Sequence, residues 1–113
     1  MVAKLDIQAA VDFIAREFSP RRIILFGSYA SGTPNEDSDV DLFVELPGSE
    51  AELRKAGLEI YRRCPRQFAM DLIVRSPEEI ASRMANNDWF LHDVLEKGRT
   101  VYESAHVGVG RES

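Results

Sequence analysis

One cysteine, one tryptophan and two histidines are all that 113 residues offer of the side chains most used in redox, thiolate or imidazole chemistry. Cys64 alone cannot close an internal disulfide. With Pro65 beside it and no second cysteine or nearby histidine, it has neither a zinc-site nor a nucleophile signature, which fits a reducing compartment. No apolar run approaches the ~18 residues that cross a bilayer. The first residues alternate apolar with charged (Lys4, Asp6) and lack the apolar centre of a secretion signal, so a cytoplasmic protein is expected. Basic charge is short as well: 14 Lys and Arg stand against 19 Asp and Glu, a net charge of −5. That balance argues against general affinity for nucleic-acid backbones, and neither direct nucleic-acid binding nor a membrane partner is expected. The Arg62, Arg63 and Arg66 group reads as a solvated helix end. There is no internal repeat and no low-complexity segment.

What is present is the pattern of one small domain, residues 1–103, followed by a polar tail at 104–113 expected to be disordered. Ile7, Ala10, Val11, Ile14 and Phe18 recur at helical spacing, with Asp6 as the expected N-cap. Pro20 ends that helix and pushes Ser19 toward an extended conformation. Ile23-Ile24-Leu25-Phe26 is a short apolar run expected as a strand buried on both faces. Gly27-Ser28 ends it, and a short helical turn and loop follow to Ser38. Asp39 to Leu46 alternates as a second strand, with Val40, Leu42 and Val44 on one side and Asp39, Asp41 and Phe43 on the other.

Ser49 and Glu52 have capping-box spacing ahead of a helix bearing Leu53, Ala56, Gly57, Ile60 and Tyr61 on one stripe. Phe68 to Val74 reads as a third strand. Ser76-Pro77-Glu78-Glu79 starts another helix, expected to break near Asn86-Asn87, and Gly98 is the expected C-cap before a short edge strand at Thr100-Val101-Tyr102. Trp89-Phe90-Leu91 is read as core, part of it available to a partner helix. His92 is read as a surface or half-buried helical residue, and His106 lies in the tail. The whole describes an α+β (α/β-like) fold: a small mixed sheet of three to four strands with helices packed mainly on one face.

The chemistry lies in the carboxylates. Asp39 and Asp41, two residues apart on a strand, point to the same face, and Glu36, Asp37 and Glu45 only add negative charge. Like charges this close raise each other's pKa unless a cation sits between them, and carboxylate oxygens suit Mg2+ or Mn2+ rather than zinc. Asp71 interrupts the apolar set Phe68 to Val74, where an unpartnered buried charge is costly, so a ligand or ion is implied there. If strands two and three pair, three carboxylates could hold two ions about 3.5–4 Å apart, the arrangement that stabilises both oxygens of a phosphoryl or nucleotidyl transfer. Gly27 permits close approach of backbone to a ligand, and the Ser28 hydroxyl can donate to a phosphate oxygen.

Gly27-Ser28, ten intervening residues and then Asp39-Val40-Asp41-Leu42 resemble the signature of the polymerase-β-like nucleotidyltransferase superfamily. The lead-in Ile24-Leu25-Phe26 and the internal Gly32 and Ser38 fit the same pattern. The likeness runs from the first helix to Gly98-Arg99-Thr100-Val101-Tyr102. It is strongest to the minimal nucleotidyltransferases, the antitoxin-type partners of HEPN-domain toxins. That resemblance implies a nucleotidyltransferase fold and roles for the five site residues. Gly27 and Ser28 would bind the triphosphate. Asp39 and Asp41 would ligate both metals, and Asp71 would ligate the catalytic metal and help activate the acceptor hydroxyl. It also implies two Mg2+ ions, ATP as substrate, and transfer of AMP to a tyrosine of a HEPN toxin. Ser31 departs from the pattern, since many relatives carry Arg after Tyr-Ala. Two further readings stay open at this stage: an antitoxin that acts by contact alone, and nucleotidyl transfer to a small molecule.

Overall fold

The computed structural model describes residues 1–105; the rest of the expected tail, with His106, lies outside the described residues. The elements run α1 (Lys4–Phe18), β1 (Arg22–Phe26), α2 (Ser28–Ser31), β2 (Val40–Glu45), α3 (Glu50–Arg63), β3 (Met70–Arg75), α4 (Pro77–Ala85), α5 (Trp89–Lys97) and β4 (Arg99–Glu103). The four strands form one sheet in the order β3-β2-β1-β4. β1 is antiparallel to both β2 and β4, whereas β2 and β3 are parallel. A parallel pair needs a long crossover, and α3 supplies it.

Two apolar clusters sandwich the sheet. The larger joins Ile7, Ala10, Val11 and Ile14 of α1 and Ile60 of α3 to Ile23, Leu25, Val40, Leu42 and Val44. The smaller joins Ile80 of α4 and Leu91 and Val94 of α5 to Ile24 and Phe43. Alternation along β1 and β2 therefore feeds both clusters, as a strand covered on both faces should. Each fully buried Ile or Leu contributes about 1.5–3 kcal/mol, so the larger α1–α3 side carries most of the stability.

Helix boundaries follow local chemistry, with two departures from expectation. Ser49 and Glu52 close a reciprocal capping box at the start of α3. The Ser76 hydroxyl accepts from Glu79 N–H at 3.0 Å at the start of α4, with Pro77 in the first turn. α1, however, begins a turn before Asp6: Ala3 is its N-cap without a side-chain bond, and Ile7 N–H reaches Ala3 O at 3.2 Å. Asp6 instead lies in the first turn, where its charge faces the positive helix end. Ser19 is not extended but left-handed (φ 49°, ψ 53°), its N–H bonded to Ala15 O. Pro20 excludes only the right-handed helical conformation, and the reversal into β1 takes the left-handed one.

Gly98 caps α5 with its N–H on Val94 O at 2.9 Å, but its φ is −73°, so a left-handed backbone is not its reason for being glycine. A side chain there would press on Ile24 Cγ2 at 2.6 Å and on Leu25 O at 3.1 Å. Arg22 and Glu45 face each other across β1 and β2 and form a largely buried ion pair, with Nη2 at 2.8 Å and Nε at 2.9 Å from Oε1. The free edge of β3 is partly occupied. The Tyr61 hydroxyl accepts from Leu72 N–H at 2.8 Å, and Arg75 Nη1 donates to Val74 O at 2.9 Å.

Candidate active site

The carboxylates gather where β1 ends and β2 and β3 begin. Phe26, Asp41 and Asp71 are register partners across three adjacent strands and point to the same face, the one that carries α4 and α5. With strands about 4.8 Å apart, this row spans about 10 Å. Asp39 lies just before the first paired residue of β2, two positions from Asp41. Gly27 closes the row from the side. Its φ is +73°, and any Cβ on it would overlap Asp41 Oδ2. The glycine is thus required twice, by its left-handed backbone and by the carboxylate lying against it.

Short bonds shape the loop that returns the chain to Asp39. Ala30 and Ser31 N–H both reach Gly27 O at 3.1 Å, and Gly32 (φ +81°) ends α2. The first N–H groups of a helix have no intrahelical partner, so those of Ser28 and Tyr29 have none within α2. Tyr29 ties α2 down by accepting from Val2 N–H at 2.9 Å. Asn35 and Ser38 then lock the turn before Asp39: Asp37 N–H donates to Asn35 Oδ1 at 2.8 Å, and Asn35 N–H donates to Ser38 Oγ at 2.9 Å. Ser31 hydrogen-bonds locally, to Ser28 O at 3.2 Å and with Thr33 Oγ1 at 2.9 Å.

The electrostatics centre on Asp41. Its partial burial, then the neighbouring charges of Asp71 and Asp39, hold its carboxyl above the usual carboxylate range. Among the described residues none of the three aspartates takes part in an ion pair. Also among those residues, no three His, Cys, Asp or Glu side chains stand at the spacing that encloses an ion. The donor chemistry nevertheless fits a hard divalent cation: oxygen ligands only, mutually repelling, with no ion-pair partner among the described residues.

Asp71 corrects an expectation. It is exposed, because β3 is an edge strand and the residue lies near its open start. Burial therefore does not explain an aspartate in this strand; its alignment with Asp41 is the structural fact that bears on the chemistry. The aromatic cluster is corrected too: Leu91 is buried, but Phe90 is 41% and Trp89 77% exposed. Two concavities of the described surface lie away from the carboxylates. A groove of about 450 Å3 runs between α3, α4 and the β3 edge past Tyr61, Leu72 and Arg75, and none of the three aspartates lines it.

This sheet, with its glycine-serine turn and its carboxylates on adjacent strands, defines a nucleotidyltransferase: the chain belongs to the nucleotidyltransferase domain family, which matches residues 7–102. It is similar to the protein adenylyltransferase MntA of Thermococcus cleftensis, 35% identical over 63 residues. That match takes in 56% of this chain and 64% of the relative, just under two thirds of its length. The fold is that of a crystal structure from Sulfolobus solfataricus described as a candidate nucleotidyltransferase, with a TM-score of 0.59 and 19% identity over 86% of this chain and 77% of the other.

Proposed function

We propose that this chain is a Mg2+-dependent protein adenylyltransferase of the antitoxin type, acting in the cytoplasm, which moves AMP from ATP to a tyrosine of a HEPN-family toxin and so neutralises it. The observation that carries the reading is the alignment of Asp41 with Asp71 across β2 and β3, with Gly27 pressed against Asp41. Similarity to a protein adenylyltransferase supports a protein as the acceptor.

In this reading Gly27 and Ser28 hold the triphosphate, the glycine by letting the backbone come close and the serine by donating its hydroxyl to a phosphate oxygen. Asp39, Asp41 and Asp71 are the residues that would hold Mg2+, which supplies charge neutralisation at the attacking and leaving oxygens. Asp71 takes the proton of the acceptor hydroxyl. The hydroxyl oxygen then forms a bond to the α-phosphorus as the bond from that phosphorus to the bridging oxygen breaks, and pyrophosphate leaves with the electron pair. The Asp41 carboxyl is pushed up first by partial burial and then by the charges of Asp71 and Asp39, and a cation would relieve that repulsion.

The test is to incubate the chain with α-labelled ATP, Mg2+ and a HEPN-domain toxin. Label on a toxin tyrosine is expected, and it should be lost with Asp41→Asn. A chain that binds ATP yet transfers no label, or an Asp39→Asn, Asp41→Asn double variant that still protects cells fully from the toxin, would sink the proposal in favour of inhibition by contact.

A further inference from the structure

Two of the exposed large apolar side chains in the described chain are consecutive, Trp89 and Phe90. They open α5, and the core does not account for them: only Leu91, the next residue, is buried. Phe90 is nonetheless placed. Its ring meets that of Phe26 edge-on, with centroids 5.8 Å apart and planes at 85°. Phe26 is the register partner of Asp41 and the residue immediately before Gly27. The aromatic pair therefore adjoins the row Phe26–Asp41–Asp71, on the same sheet face and next to the turn read above as the triphosphate site.

The start of α5 is held in position. Asp88 Oδ1 accepts from Leu91 N–H at 3.0 Å, and its other oxygen accepts from Arg83 Nη1 at 3.1 Å. Arg83 is fixed in turn to Glu79 at 2.9 Å. A ring displayed on a fixed helix start costs little to order when a ligand arrives, which is what a stacking surface needs.

From these placements we infer that Phe90 and Trp89 form the surface against which the base of the nucleoside triphosphate stacks. The inference rests on the active-site reading above and adds the part of the substrate that reading left unassigned. A nucleotide whose phosphates lie at Gly27-Ser28 and the carboxylates carries its base a sugar's length away. The aromatic surface bordering that turn is Phe26, whose ring Phe90 meets edge-on, and Trp89 precedes Phe90 as the first residue of α5. Stacking reads the π-face that every base possesses, so it needs no hydrogen-bonding group from the protein.

The chain reports on this directly, because Trp89 is its only tryptophan. The experiment titrates the full chain, in Mg2+, with ATP and separately with inorganic tripolyphosphate, which has the phosphates but no base. Trp89 emission is followed, and calorimetry gives the affinity of both ligands for the wild type, Trp89→Leu and Phe90→Leu. ATP should quench the emission and tripolyphosphate should not. Each variant should weaken ATP about five- to tenfold while binding tripolyphosphate as the wild type does. Trp89 is so exposed that its replacement leaves the core untouched, so that variant alone suffices if Phe90→Leu fails to fold.

Equal affinity of both variants and the wild type for ATP would overturn the inference, as would parallel loss of both ligands. Emission that ignores ATP and changes only with a protein acceptor would overturn it too, assigning the rings to the partner. A wild type that binds neither ligand would overturn the active-site reading and this inference with it.

Discussion

Asp41 lies directly against Gly27, so closely that a methyl group at residue 27 would overlap its Oδ2 oxygen. Gly27 follows β1 and Asp41 sits on β2, so a side chain at the first would displace the carboxylate of the second. Gly27→Ala should therefore fail in two ways. It forces an L-residue to φ +73° and pushes the Asp41 carboxylate out of the row it shares with Asp71. The expected outcome is at least about a 100-fold loss of transfer, the scale of a 1 Å misplacement in a catalytic constellation. Steady-state kinetics and a melting curve would show it, with stability reduced by about 1–2 kcal/mol.

Asp41→Asn should make the metal-free protein more stable at neutral pH while abolishing transfer. Burial and then the charges of Asp71 and Asp39 raise the Asp41 pKa in the folded state above its unfolded value. The stability such a group contributes is fully present below its unfolded pKa of about 3.9 and is lost as pH rises through the folded value. The variant should therefore melt higher than the wild type at pH 7, and the difference should vanish below about pH 4. Mg2+ should raise the wild-type Tm and leave that of the variant nearly still. A variant that melts lower at pH 7 would contradict the account.

The capping box of α3 and the serine start of α4 were legible from spacing alone, because each depends on residues within one turn. What was not legible depends on strand order. Leu72-Ile73-Val74 reads the same in a central strand as at an edge, so the exposure of Asp71 required knowing that β3 lies outermost. Trp89 and Phe90 failed for a related reason. Helical spacing with Leu91 suggests core, but only the packing of α5 on β1 decides that Leu91 faces inward and its two neighbours do not.

Ser76→Ala should destabilise the fold by about 1 kcal/mol, since it removes the hydroxyl that accepts from Glu79 N–H and leaves that donor without its partner. In a domain of this size the melting temperature should fall by about 4–8 °C, with nucleotide binding unchanged at a temperature where the variant is folded.

Glu45→Ala should cost more, about 1–3 kcal/mol, because it strands Arg22, whose side chain is only 28% exposed, on the central pair of strands. The double variant Arg22→Met, Glu45→Leu should regain most of that loss, since an apolar pair replaces the ion pair without leaving a charge unpaired. Urea unfolding with an unchanged slope would establish both values. A double variant as unstable as Glu45→Ala would mean that the pair contributes more than charge compensation.

The Tyr61 hydroxyl on Leu72 N–H and the Arg75 guanidinium on Val74 O have a bearing beyond β3 itself. They occupy two of the contacts through which another polypeptide would lengthen the sheet beside Asp71. Joining by strand addition at β3 would first have to break both, which makes the edge beside Asp71 a poor template for a second chain.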